Sequence, residues 1–154
     1  MQIREASLDD LGQVTAICDA SGRTRWTSEM IAARSDRVVL VAVTQDEVVG
    51  VAKTHLHPNP DGNAPAGHYL GGVEVAPGFR RRGIGSALTQ ARLEWIWSRD
   101  STAYYFTNEH NNASIRMHEA LNFWPVARFS EIRGVTADNG RSDGTAPAFV
   151  DSGS

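Results

Sequence analysis

The sequence predicts an α+β domain, on three observations. Two apolar, β-branched runs, residues 38–43 and 48–56, flank the turn residues Gln45-Asp46-Glu47, which is a hairpin pattern. Apolar residues at helical spacing lie on either side of that hairpin: Leu8, Leu11, Val14 and Ile17 before it, and Ile84, Ala87, Leu88, Ala91 and Trp95 after it. Between the hairpin and the second stripe, residues 69–88 (YLGGVEVAPGFRRRGIGSAL) read as a buried strand, a proline-marked turn, a basic glycine-rich loop and a helix start.

The chain has 154 residues, enough for one domain with a real core. A single domain over residues 1–150 is expected, with 151–154 as a flexible tail. Apolar content of 41% and charged content of 21% are ordinary for a globular protein. The net charge of −3 argues against wholesale nucleic-acid binding. One cysteine, Cys18, excludes an internal disulfide, and it falls beside the first apolar stripe, where a buried thiol is expected. There is no apolar run of membrane-spanning length, and MQIREASLDD lacks the apolar core of a signal peptide. The expectation is a cytoplasmic protein with no membrane partner.

In chain order, residues 3–6 form a short strand and Ser7 caps a helix, with Asp9 and Asp10 favourable in its first turn. Gly22 ends that helix, and residues 26–34 predict a second, short one with Thr27 or Ser28 near its cap. The hairpin follows, then a polar loop with two prolines at 57–63. The spacing of His55, His57 and His68 fits no zinc pattern, so no metal is expected. The central strand covers about 67–76, with Gly71 and Gly72 marking a bulge or a close approach. Alternation puts Val73 and Val75 on one face and Leu70, Gly72 and Glu74 on the other. A helix over 83–99, a strand over 101–108, a helix over 113–121 ending at Asn122 and a strand over 123–131 complete the pattern. Residues 145–150 add a last strand, and the chain past 151 reads as disordered.

The first turn of a helix carries amide N–H groups without internal partners and a partial positive charge. Gly83 and Gly85 let an anion approach those amides, and Arg80, Arg81 and Arg82 add donors suited to phosphate. Residues 80–86, including Ile84 and Ser86, therefore form a phosphate or pyrophosphate cradle at a helix start. A dinucleotide fingerprint is not met, because its third glycine would fall at Leu88, and a P-loop would need a lysine that is absent here.

The pattern Arg80-x-x-Gly83-x-Gly85, preceded by Val75-Ala76-Pro77, resembles the acetyl-CoA loop of the GNAT superfamily of N-acetyltransferases. A second segment, from Asn111 through Ser114, Met117 and His118 to Asn122-Phe123, resembles the GNAT stretch that opens with Asn and ends with Gly-Phe. The resemblance implies a mixed, mostly antiparallel sheet of about six to seven strands flanked by about four helices, with a splayed central strand pair. It implies acetyl-CoA as cosubstrate and a small-molecule primary amine as acceptor, and it is compatible with a homodimer. It places the pantetheine arm along Val73 and Val75, assigns Val75 the backbone oxyanion donor, and adds Asn111 and Ser114 to the coenzyme contacts.

His118 stands where most relatives carry a tyrosine, and is the candidate acid that protonates the leaving thiolate; packing or a local hydrogen bond is the alternative. Glu74, next to the oxyanion donor, is the candidate base or cation anchor; a structural salt bridge is the alternative. Trp26 and Glu29, on the early helical pair, border the acceptor site in the family pattern, and Glu109 is a weaker candidate; packing and surface charge explain Trp26 and Glu29 equally well. The strings VEVAP-x-x-RRRGIG and YFTNE-x-N-N-A-S look most like the aminoglycoside 6′-N-acetyltransferase branch. A protein or peptide N-acetyltransferase, and an acyl-CoA-binding sensor without turnover, remain the competing functions.

Overall fold

A computed structural model gives the fold and describes residues 1–60, 65–106, 116, 123–129, 131–132, 135–136 and 146–151. Contacts divide the chain into two units, one of Met1–His55 with Gly71–Trp95 and one of Leu56–Leu70 with Ile96–Ser154.

In the first unit the strand order is β1 (Gln2–Glu5), β2 (Val39–Thr44), β3 (Glu47–His57) and β4 (Gly67–Val75). β1–β2 and β2–β3 are antiparallel. The β2–β3 connection is tighter than the three residues expected: Thr44 pairs with Glu47, and only Gln45 and Asp46 turn, with φ of 50° and 63°. Two successive positive φ values match a two-residue turn whose twist suits a hairpin.

The register slips between Ala42 and Val43, which pair with Gly50 and Val48, so Val49 is an extra residue in β3. On either side of this bulge the apolar run alternates between the two faces of the sheet. Val48 and Val51 join Val39, Val41, Val14, Ile17, Cys18, Trp26 and Ile31 in one buried cluster. Val49 and Ala52 join Val38, Leu40, Ala42, Ile84 and Leu88 in the other. The sheet of this unit is thus sandwiched between the early helices and the long helix, as a strand pair buried on both faces requires.

The first cluster is closed by α1 (Leu11–Ser21) and α2 (Ser28–Ile31). A 3₁₀ turn at Leu8–Asp10 leads into α1, and Asp10 anchors it by accepting from the Ser7 amide at 2.8 Å and from Arg4 at 2.8 and 2.9 Å. The bidentate pair with Arg4 holds the Asp10 carboxyl below its ordinary value. Gly22 ends α1 in the left-handed conformation. The second helix is only Ser28–Ile31, shorter than the residues 26–34 expected. Thr27 caps it, its hydroxyl accepting from the Met30 amide at 3.3 Å, and Trp26 precedes it. The second cluster is closed by α3 (Ile84–Trp97).

In the second unit the order is β4, β5 (Ala103–Phe106), β9 (Ala146–Asp151) and β6 (Phe123–Phe129). β4 and β5 are parallel, through His68↔Ala103, Tyr69↔Tyr104 and Leu70↔Tyr105, and β9 is antiparallel to both β5 and β6. Tyr69 stacks on Tyr104 at 5.1 Å and its hydroxyl donates to the Pro65 carbonyl at 2.7 Å. β6 covers most of the strand expected over 123–131, and Glu131 belongs to β7 (Glu131–Ile132), which pairs with β8 (Val135–Thr136).

The mixed sheets and packed helices agree with the α+β fold. Three α-helices fall among the described residues, against about four expected; the helix expected over 113–121 lies outside them. No helix of the described residues is long and apolar enough to cross a membrane.

Candidate functional site

The site is built where β4 ends and α3 begins. Val75 closes β4, the Ala76 amide donates to the Val49 carbonyl at 2.8 Å, and Pro77–Phe79 makes one 3₁₀ turn. Proline opens that turn because its missing N–H would have no partner there. Arg80 then reaches back: its Nη2 donates to Ser21 Oγ at 2.9 Å and its Nε to the Val75 carbonyl at 3.4 Å. This side chain ties the loop to the end of α1, a structural task that its place in the motif did not announce. The Arg82 guanidinium lies 5.0 Å from the Phe79 ring centroid. Arg81 and Arg82 are exposed.

Gly83 has φ of 78°, a conformation that residues with a Cβ rarely adopt, and it accepts the Ala87 amide at 3.0 Å. The amides of Ile84, Gly85 and Ser86 precede the helical ladder, so they are the donors a helix start leaves over. A Cβ built at Gly83 or Gly85 meets no described atom within 4 Å outside its chain neighbours and the helix's own backbone, so the loop is open on the side of these two positions. Ile84 is buried against the sheet and fixes the direction of α3. The residues present therefore fit a phosphate-bearing group, with main-chain donors and helix polarity at the start of α3 and exposed arginines in the loop before it.

On the other face of β4, Glu74 is half-buried, its side chain 17% exposed, with Arg23 Nε 4.0 Å from its Oε2. Burial pushes its carboxyl above the ordinary value, and the Arg23 and Arg80 charges offset part of that rise. Val73 is exposed. Val75 turns the opposite way from Glu74, into the α3-side cluster, as alternation predicts. Trp26 is 7% exposed and packs in the α1-side cluster. A Cβ at Gly72 would lie 3.5 Å from Trp26 Cζ2 and 3.8 Å from Lys53 Cε, so Trp26, Gly72 and Lys53 form one patch. Lys53 Nζ stands 4.8 Å from the Trp26 ring centroid.

Glu29 is exposed in the first turn of α2, and its carbonyl accepts from Arg37. Cys18 is buried, and burial pushes its thiol up. His118, Glu109, Asn111 and Ser114 lie outside the described residues. No group of three or more metal-binding side chains converges among the described residues.

Three contributors escaped the sequence reading. Lys53 looks like a solvent-facing residue of a strand, Arg23 like a loop charge and Arg92 like a helix-surface cation. Arg92 is in fact 1% exposed. It donates to the carbonyls of Lys53 at 2.9 Å, Gly71 at 3.0 Å and Leu88 at 3.4 Å, and to Thr89 Oγ1 at 3.0 Å. Burial lowers its pKa to about 9.

Comparison with known proteins agrees with this fold. Over 96 residues the chain is 35% identical to an aminoglycoside N(6′)-acetyltransferase type 1 of Klebsiella aerogenes, a match that covers 58% of this chain and 61% of that protein. A ribosomal-protein-alanine N-acetyltransferase of Brucella melitensis superposes with a TM-score of 0.72 at 23% identity, over 98% of this chain and 99% of that one. An aminoglycoside 6′-N-acetyltransferase complexed with coenzyme A superposes with a TM-score of 0.70 at 17% identity, over 98% and 96%. Residues 7–123, which include the whole β4–α3 loop, match the acetyltransferase (GNAT) family, and to that family this chain belongs.

Proposed function

We propose that the protein is an N-acetyltransferase that moves an acetyl group from acetyl-CoA to a primary amine. The observation that carries this reading is the β4–α3 loop, with Gly83 in the left-handed region and three amides at the start of α3 that have no partner among the described residues. The family match and the coenzyme A bound to a protein of the same fold support it.

In this reading the amides of residues 84–86, with Arg81 and Arg82, hold the pyrophosphate. Val73 and Val75 border the pantetheine arm, and the main chain near Val75 stabilises the oxyanion. Asn111 and Ser114 add coenzyme contacts. When bound, acetyl-CoA supplies an acetyl group on a thioester, which the amine nitrogen takes with loss of the thiol. Glu74 accepts the proton that the attacking amine must lose; its raised pKa moves it toward a range where a carboxylate is an effective base. His118 returns a proton to the thiolate. Trp26 lines the acceptor side.

The 35% identity to an aminoglycoside acetyltransferase favours a small-molecule acceptor over a protein. Thiol release from acetyl-CoA, followed with a panel of amines and peptides, tests the activity. Release with some small amine is the expected result; binding of acetyl-CoA without release under any amine or peptide would leave a sensor. Gly83→Val should raise the acetyl-CoA KM about tenfold or more, since a β-branched residue at this φ costs roughly 1–2 kcal/mol and displaces the amides. An unchanged KM would put the pyrophosphate elsewhere.

A further inference from the structure

The patch formed by Trp26, Gly72 and Lys53 has a use beyond proton transfer. Lys53 is half-buried, and its ammonium lies over the Trp26 ring. None of the ion pairs among the described residues includes it. A cation over an aromatic face is attracted by the ring, but a half-buried ammonium without an anion has given up part of its hydration for a contact of modest strength. Arg37 adds a like charge in its field. The charge is therefore an unanswered donor.

Its surroundings fix where that donor sits. Val39 pairs with Lys53, so both share the α1-side face of the sheet. Arg92 holds the Lys53 carbonyl and the Gly71 carbonyl with the same nitrogen, so β3 and β4 are locked together at this level. The stem of Lys53 passes Gly72, where a Cβ would stand 3.8 Å from its Cε. Gly72 and Glu74 lie two residues apart on one face of β4, a spacing of roughly 7 Å. One face thus offers a carboxylate for an amine and, one strand repeat away, a cation for an anion.

We infer that Lys53 determines acceptor specificity, and that the acceptor is a primary amine carrying a carboxylate a few bonds away, an amino-acid-like zwitterion rather than a polycation. This rests on the acetyl-transfer reading of the same site. The amine faces Glu74 and the carboxylate is received by Lys53, with the exposed Arg23 guanidinium beside Glu74 adding to the positive rim. A polyamine would place a second positive charge against Lys53, which like-charge repulsion disfavours.

The test compares amino acids with their decarboxylated amines, and with kanamycin, as acetyl acceptors. For the wild-type protein, kcat/KM should be higher for at least one amino acid than for its decarboxylated partner, by about tenfold or more, the scale of one charge-assisted hydrogen bond. Lys53→Met, which keeps an apolar stem over Trp26, should erase that ratio, and Lys53→Arg should retain most of it. An unaltered melting temperature establishes that Lys53→Met is folded. Equal rates for acids and decarboxylated amines, a preference for kanamycin, or a ratio unchanged in Lys53→Met would overturn the inference while leaving acetyl transfer intact. If no amine is acetylated, the activity reading fails by itself. Calorimetric titration with the same amino acids then decides the role of Lys53: binding lost in Lys53→Met supports it, and equal or absent binding to the wild-type protein overturns it.

Discussion

Gly50 of β3 lies so close beneath Ile84 of α3 that a Cβ on the glycine would stand 3.0 Å from the isoleucine Cγ2 and 3.1 Å from Leu88 Cδ1. The seat of the long helix is thus set by an absent side chain, and the first turn of the same helix carries the amides proposed to hold the pyrophosphate.

Gly50→Val should therefore do two things. Overpacking at this contact should lower stability by about 1–3 kcal/mol, read from urea unfolding. It should also lift the start of α3 and raise the acetyl-CoA KM more than it lowers kcat. A variant with wild-type stability and KM would show that the helix is held by other contacts.

Arg92→Lys should be destabilising even though the charge is kept. An ammonium cannot reach the Leu88, Lys53 and Gly71 carbonyls and Thr89 together, and each buried polar group left without a partner costs about 1–3 kcal/mol. Denaturant midpoints of the two proteins measure this. An equal midpoint would mean that water takes over the lost contacts.

Glu74→Gln should uncouple activity from stability. As the attacking amine loses its acceptor, kcat should fall about a hundredfold, the usual scale for a general base. The acidic limb of the wild-type kcat/KM profile should sit above the ordinary glutamate range, since burial raises this carboxyl, and should vanish in the variant. A raised pKa means that the folded protein binds the proton more tightly than the unfolded chain. This group therefore favours folding below its ordinary pKa, and that advantage is lost as pH rises through the folded value. Glu74→Gln should accordingly be the more stable protein at neutral pH, with the difference closing in acid. A wild-type protein that keeps its margin at neutral pH would assign Glu74 to a favourable ion pair with Arg23.

Much of this was legible from residue patterns, and the exceptions have physical reasons. The glycine-rich turn into α3 was legible because Pro77, Gly78 and Gly83 break the chain immediately before a helical stripe begins at Ile84. The sides of β4 were readable, since Val75 and Glu74 obey simple alternation. The tight turn at Gln45-Asp46 was hidden because neither residue is glycine, although both adopt positive φ. Trp26 fell outside α2 because Thr27 takes the capping hydrogen bond one residue later. Arg92 and Lys53 were missed for a common reason: cations on helices and strands usually reach water, and only the tertiary fold sets these against carbonyls and an indole.

The additional residue at Val49 has a last consequence. Everything in β3 after it inherits a reading frame that an uninterrupted strand would not possess. Excising this single valine would leave Val48 against Val43 and Gly50 against Ala42 as consecutive pairs, so Lys53 would keep its side; drawing the extra residue into a regular ladder would instead turn Lys53 toward the long helix and Ala52 toward the indole. The side on which Lys53 stands is thereby tied to a one-residue phase offset laid down earlier in the same strand.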